Sequence, residues 1–134
     1  MAVMTKEEFA QHVKSNTLPM YRLAYSILQN SADAEDAVSE AIVHAYEKLD
    51  TLKKADSFRN WILQIAANEA KKIYRQNKRT SPVAWEENLS PEFYDEHHEL
   101  WDAVMHLDGG YRDVIVLFYY ERCTIPEISR ILKC

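Results

Sequence analysis

Asn60, Gln64 and Asn68 recur every four residues, a spacing that lines three amides along one face of a helix. Arg59 and Lys71 flank them. Amide and guanidinium groups read base edges, whereas lysines mostly hold backbone phosphates. The run Lys71-Lys72-Ile73-Tyr74-Arg75-Gln76-Asn77-Lys78-Arg79 carries five cations and no acid. As a helical stripe it can track phosphates; as a plain helix end it is a solvated terminus favoured by the dipole. Phe58 and Trp61 have the flat faces that stack on unpaired bases, but their helical spacing favours the core.

Catalytic chemistry finds little footing. There is no Gly-rich phosphate loop, no HExxH and no nucleophile elbow. His97-His98, flanked by Asp95, Glu96 and Glu99, is the best metal candidate, yet a di-metal bundle needs repeated Glu-x-x-His ligands from several helices. Glu40 and His44 share a face without further ligands to complete a site. Cys123 reads as a small helix-end residue rather than a nucleophile. The expectation is a non-enzymatic protein with no metal and no cofactor.

These groups need a scaffold, and composition limits its kind. The 134 residues are 47% hydrophobic and 28% charged, the balance of a folded chain. With 2 Gly and 4 Pro, the turn formers that tight hairpins require are scarce, and helices joined by short polar connections are expected. The opening Met-Ala-Val-Met-Thr-Lys-Glu-Glu has no basic leader before an apolar run, and no stretch is apolar enough to span a membrane. Cys123 and Cys134 form no CxxC pair or disulfide framework, which favours a reducing cytoplasm. The net charge of −5 conceals an asymmetry: residues 48–79 hold nine cations against three acids, whereas residues 81–110 hold eight acids and no Lys or Arg. The two stretches are built for different partners.

Periodicity predicts seven helices. Thr5-Lys6-Glu7-Glu8 has capping-box form and opens a first helix to about Lys14. Pro19 and Asn30 bracket a second. A third carries Ala34, Ala37, Val38, Ala41, Ile42, Ala45, Tyr46 and Leu49 inward, with Asp33, Glu35, Asp36, Ser39, Glu40 and Glu47 opposite. Residues 50–56 read as a loop, and Ser57 caps a long fourth helix with Phe58, Trp61, Ile62, Ile65, Ala66, Ile73 and Tyr74 on one face. Residues 80–91 read as an acidic linker. Ser90-Pro91 starts a fifth helix, with Leu100, Trp101, Val104 and Met105 inward, stopped by Asp108-Gly109-Gly110. A sixth runs from about Tyr111 to Glu121, and the capping box Thr124-Ile125-Pro126-Glu127 opens a seventh.

In order and spacing these segments resemble the bacterial extracytoplasmic-function sigma factors. Residues 33–46, Asp-Ala-Glu-Asp-Ala-Val-Ser-Glu-Ala-Ile-Val-His-Ala-Tyr, are similar to that family's polymerase-docking helix, DAEDLVQETFLRAW. Residues 57–68, Ser-Phe-Arg-Asn-Trp-Ile-Leu-Gln-Ile-Ala-Ala-Asn, resemble the SFRAWLYRIARN opening of its promoter-reading helix. Tyr21-Arg22-Leu23-Ala24 fits upstream, and Leu107 to Leu132 resembles the start of the family's second domain. The resemblance implies an all-α fold of two small domains: a four-helix promoter-binding domain over 1–79, a linker over 80–91, and a helix-turn-helix domain over 92–134.

It further implies that Asp33, Glu35, Asp36, Ser39 and Glu40 dock core RNA polymerase. Lys53, Lys54 and Ser57, in the loop that receives a base flipped from the minus-ten element, would contact promoter DNA together with Arg59, Asn60, Gln64, Asn68, Lys71, Lys72 and Arg75. The implied partners are core polymerase and promoter DNA, with room for an anti-sigma protein, and the implied function is promoter selection with assistance to strand opening. Three positions depart from the family pattern: Ser39 stands for its Gln, Ile42 for its Phe and Gln64 for a basic residue. The resemblance also runs out at Cys134, before the recognition helix. Ile128, Ile131 and Leu132 are therefore expected to lack a partner helix, and residues 92–134 to pack on the first domain, pair with another copy or be partly disordered. Two competing readings are an acidic helical adaptor that binds only protein, and a metal-dependent bundle centred on His97 and His98.

Overall fold

The structure, a computed structural model, describes residues 3–80 and 98–133. Among them it contains six α-helices and no strand, which agrees with the all-α expectation. Residues 81–91 of the expected linker, the start of the helix expected from Ser90-Pro91 and the side chains of the His97-His98 pair lie outside the described residues, while Thr80 ends a helix.

Helix α1 spans Lys6–Leu28. The capping box forms as the sequence indicates: the Thr5 N–H donates to Glu8 Oε1 at 2.8 Å, and the Glu8 N–H donates to Thr5 Oγ1 at 3.1 Å. These bonds to Thr5 hold the Glu8 carboxyl below its ordinary range. The two helices expected on either side of residues 15–18 are one, with Pro19 inside it. An internal proline costs about 3 kcal/mol because it removes one backbone donor and crowds the preceding turn. The apolar stripe decides the outcome, since Phe9, Asn16, Met20, Leu23 and Ala24 continue one buried face through the proline. Within the helix, Ser15, Asn16 and Thr17 satisfy their side-chain donors by bonding back to the carbonyls of Gln11, His12 and Val13, at 3.1, 2.7 and 2.8 Å.

Helix α2, Ser31–Glu47, is capped by Asn30, whose Oδ1 accepts from the Asp33 N–H at 2.9 Å. Its buried face is narrow: Ala34, Ala37, Ala41 and Ala45 are fully covered, which lets α2 lie close on its neighbours. Tyr46, expected inward, leans on Phe9 at 5.5 Å between centroids yet stays exposed. Two 3₁₀ turns, Leu49–Thr51 and Ala55–Ser57, connect to α3, Phe58–Thr80. Ser57 belongs to the second turn rather than standing as a separate cap. Phe58, Ile62, Leu63, Ala66, Ala67 and Ala70 are buried, so α3 is the central helix, packed against α1 and α2. Tyr74, assigned to its inner face, is exposed.

The C-terminal lobe contains α4 (His98–Met105), α5 (Gly109–Ile115) and α6 (Ile125–Leu132). Trp101, Val104 and Met105 point inward as expected, but Leu100 is exposed. Gly109 and Gly110 do not merely stop α4; they form the first turn of α5. That helix runs on into a π turn, Val116–Tyr120, which closes with the Glu121 N–H donating to the Val116 carbonyl at 3.1 Å. Arg122 then takes a left-handed conformation, φ 57°, that turns the chain into the Thr124–Glu127 capping box.

The lobe packs on the helices that precede it. Of the three arrangements expected for this lobe, packing on the first domain is the one seen: Ile128, Ile131 and Leu132 are 5%, 1% and 4% exposed, because α6 lies against α3 of the same chain. Tyr25 of α1 approaches Trp101, which meets Tyr120 edge-on at 5.3 Å between centroids. Gln29 Nε2 donates to the Met105 carbonyl, and Arg112 Nε donates to the Ser26 carbonyl at 2.7 Å. One hydrophobic core therefore serves both parts of the chain. Among the described residues no helix is long and apolar enough to cross a membrane.

Candidate nucleic-acid interface

The residues expected to dock polymerase sit on one side of α2. Glu35, Asp36, Ser39 and Glu40 are exposed there, because the alanine stripe consumes the opposite face. Asp33 differs from the other four. Its Oδ2 accepts from Asn77 Nδ2 at 2.8 Å, so it links α2 to the end of α3. His44 and Glu69 make a second tie between these helices, with Nδ1 2.5 Å from Oε1. Among the described residues no group of His, Cys, Asp and Glu is arranged to hold a metal.

The residues expected to meet DNA divide into three sets. Lys53, Lys54 and Ser57 are exposed on the connection between α2 and α3, anchored beneath by buried Leu52. Lys72 and Arg75 are exposed on the far half of α3. Gln64 and Asn68 are half-buried on the amide face. Arg59, Asn60 and Lys71 are engaged by the C-terminal lobe. Arg59 Nη2 donates to the Glu121 carbonyl at 2.5 Å and lies 3.4 Å from the Glu121 carboxylate. Asn60 Nδ2 donates to Glu127 Oε2 at 2.5 Å, and Lys71 Nζ donates to the Leu132 carbonyl at 2.6 Å. Phe58 is buried between Phe9 and Trp61, at 5.8 and 5.7 Å between centroids, in the core role its spacing favoured. Trp61 is partly buried against the same cluster.

Glu121 was not singled out by sequence reasoning. Its carboxylate also accepts two bonds from Arg22, from Nε at 2.7 Å and from Nη2 at 3.1 Å. The side chain of Glu121 is 2% exposed, so burial is compensated by two guanidinium groups. Arg22 in turn lies over the Tyr120 ring, 5.7 Å from its centroid. Arg22 had entered only as part of the segment Tyr21-Arg22-Leu23-Ala24, and an acid 99 residues away has no periodic signal to mark it. The Glu127 carboxyl is held below its ordinary range by the Thr124 backbone bond and then by Asn60. Burial pushes the Cys123 thiol up despite Arg59 nearby.

The arrangement offers an exposed acidic helix beside a loop and helix edge rich in amides and cations. Comparisons with known proteins identify the family. The model of sigma-70 region 2 matches residues 12–80, which takes in α2, the connecting turns and α3. The chain is similar to RNA polymerase sigma factor SigV of Bacillus subtilis (strain 168), 28% identical over 131 residues, covering 95% of this chain and 79% of the relative. It is likewise similar to the ECF RNA polymerase sigma factor SigW of the same organism, 28% identical over 147 residues, covering 96% and 79%. Among solved structures, CnrH in complex with the cytosolic domain of CnrY superposes with a TM-score of 0.67 at 25% identity, over 96% of this chain and 75% of that one. With region 2 matched over residues 12–80, the chain belongs to the sigma-70 region 2 family as an extracytoplasmic-function sigma factor, an initiation factor of transcription and not an enzyme.

Proposed function

We propose that this sigma factor docks core RNA polymerase through the acids of α2 and holds the minus-ten element as separated strands against the α2–α3 connection and the amide face of α3. The observation that carries the reading is the separation of the two surfaces. Glu35, Asp36, Ser39 and Glu40 are exposed on α2, while Lys53, Lys54 and Ser57 are exposed on the turns that lead into the amides of α3. A base lodged on that connection offsets the few kcal/mol of unstacking on which strand opening depends. The cations of α3 supply affinity without sequence preference, and the amides supply the preference.

Residues 1–79 form the promoter-binding part in this reading, 80–91 the tether and 92–134 the second domain, at work in the cytoplasm. The likeness to CnrH, solved with the cytosolic domain of CnrY, supports an anti-sigma protein as a further partner. The adaptor reading, in which the basic stripe is incidental, predicts full function after alanine replacement of Lys71, Lys72 and Arg75. Reconstitution with core polymerase on promoter fragments of varied minus-ten sequence tests the proposal, with strand opening followed by permanganate reactivity of unpaired thymines. Opening that depends on minus-ten sequence and is lost in Lys53→Ala/Lys54→Ala/Asn60→Ala is expected; opening indifferent to both contradicts it.

A further inference from the structure

A cavity of about 220 Å³ opens between α1, α3 and α5, lined by Ile27, Tyr74, Gly109, Gly110, Arg112 and Asp113. An engineered cavity of roughly 150 Å³ holds a benzene ring, so a small organic molecule fits here. Arg112 is fixed by two carbonyls: Nε donates to Ser26 and Nη1 to Leu107, each at 2.7 Å. Nη2 takes part in neither bond, and among the described residues no carboxylate lies at ion-pair distance from the guanidinium. Asp113, the next residue, is half-buried, and its Oδ1 is buried with no hydrogen-bond partner among the described residues. Groups of that kind are few in native structures, and each calls for a reason. Gly109 and Gly110 leave the cavity room. A Cβ on Gly109 would meet Arg112 Nη2 at 3.3 Å, whereas one on Gly110 would meet nothing within 4 Å. Neither glycine takes a positive φ, so space and not backbone geometry is what they provide.

A guanidinium and a carboxyl that line one cavity without pairing make a bipolar site, and Ile27 with the Tyr74 ring gives it an apolar wall. We infer that this cavity binds a small zwitterion, an α-amino acid with an apolar side chain: Arg112 takes its carboxylate, Asp113 its ammonium group, and Ile27 and Tyr74 its side chain. The two ends of an amino acid need separate counter-charges, which an Arg112–Asp113 ion pair would consume. A carboxylate shares its charge over both oxygens, so an ammonium group held by Asp113 also compensates the buried Oδ1. An amine alone would leave Arg112 unanswered, and a carboxylate alone would leave Asp113 so. The bound molecule touches three helices and therefore stabilises their packing by mass action. None of the lining residues is among those assigned to polymerase or to DNA, so this site stands or falls apart from the promoter reading.

The test is calorimetric titration of the whole chain with L-leucine, L-valine and L-methionine. Alongside them run 4-methylpentanoate and 3-methylbutylamine, which are leucine without its ammonium group and without its carboxylate. At least one of the amino acids should bind and raise the melting temperature with its concentration, and both truncated analogues should bind at least about tenfold more weakly. Gly110→Leu fills the cavity without backbone strain and should abolish binding in a chain of unchanged helix content. Asp113→Asn should weaken the amino acid at least about tenfold although it melts no lower than wild type, which separates lost affinity from lost folding. Should Gly110→Leu unfold, Asp113→Asn decides. No binding of any of the amino acids at about 10 mM, binding that survives Gly110→Leu or Asp113→Asn in a folded chain, or a truncated analogue that binds as well as leucine overturns the inference and leaves the promoter reading intact.

Discussion

Arg22 and Glu121 form a bidentate ion pair across 99 residues of sequence, with Nε 2.7 Å from Oε2 and Nη2 3.1 Å from Oε1. The pair joins the long first helix to the end of the π turn, and Arg59 reaches the same carboxylate from α3. A single acid thereby ties three elements at one point.

Removing that acid should be costly. Glu121→Ala leaves two arginines facing a covered site, and a loss of roughly 3 kcal/mol is expected in urea unfolding. Arg22→Met should cost less, about 1–2 kcal/mol, because Arg59 still accompanies the carboxylate. The two changes together should fall short of their sum, which a double-mutant cycle measures directly.

Polymerase docking should be separable from folding. Asp36→Arg/Glu40→Arg alters two exposed side chains on α2 that bear no core load. Thermal unfolding should change by less than about 0.5 kcal/mol, as for ordinary surface substitutions. Association with core polymerase, measured by co-purification or anisotropy, should drop at least about tenfold through charge reversal at the interface.

Salt should report the phosphate contacts. With about five contacts to a single strand, the log–log slope of affinity against salt should be near −3.5. Replacing Lys72 and Arg75 by Ala should flatten it by about 1.4 and weaken all sequences alike. Asn60→Ala should instead reduce the preference for the minus-ten sequence while leaving the slope nearly unchanged.

Asp113 gives a pH signature. Its carboxyl is raised mainly by burial, Lys71 and Arg112 opposing only in part, and Oδ1 is buried without a hydrogen-bond partner among the described residues. A carboxyl that binds its proton more tightly in the folded state favours folding in acid. Its contribution is present below the ordinary carboxylate range and is lost as pH rises through the raised value. Asp113→Asn, which has no charge to desolvate, should therefore melt on the order of a few °C above wild type at pH 7. The difference should shrink towards pH 4, as read by paired melting curves.

Much of this molecule can be read from residue spacing alone. Capping boxes at Thr5 and Thr124 and the alanine face of α2 are local patterns, and each forms where periodicity puts it; of the inward set of α3, Phe58, Ile62 and Ala66 are buried, whereas Tyr74 is exposed. Pro19 misleads because its local cost is visible in the sequence whereas the buried stripe that offsets it depends on packing against other helices. The exposed residues of α2 and of the α2–α3 connection follow from the same periodicity. What spacing cannot disclose is the cover over Arg59, Asn60 and Lys71, since it comes from Glu121, Glu127 and Leu132, 61 to 67 positions away. Sequence chemistry identified the donors; only the fold supplies the acceptors.

The π turn at Val116–Tyr120 gives chain length a phase-setting role. Its ring is one residue wider than that of an ordinary helical turn, and one residue corresponds to about 100° around the axis. A single deletion inside it would let the turn close as regular helix and carry Glu121 out of line with both arginines, while hydrophobicity and net charge stayed almost unaltered. Relatives that differ by one residue at this turn would thus keep the same helices and lose the clasp between them.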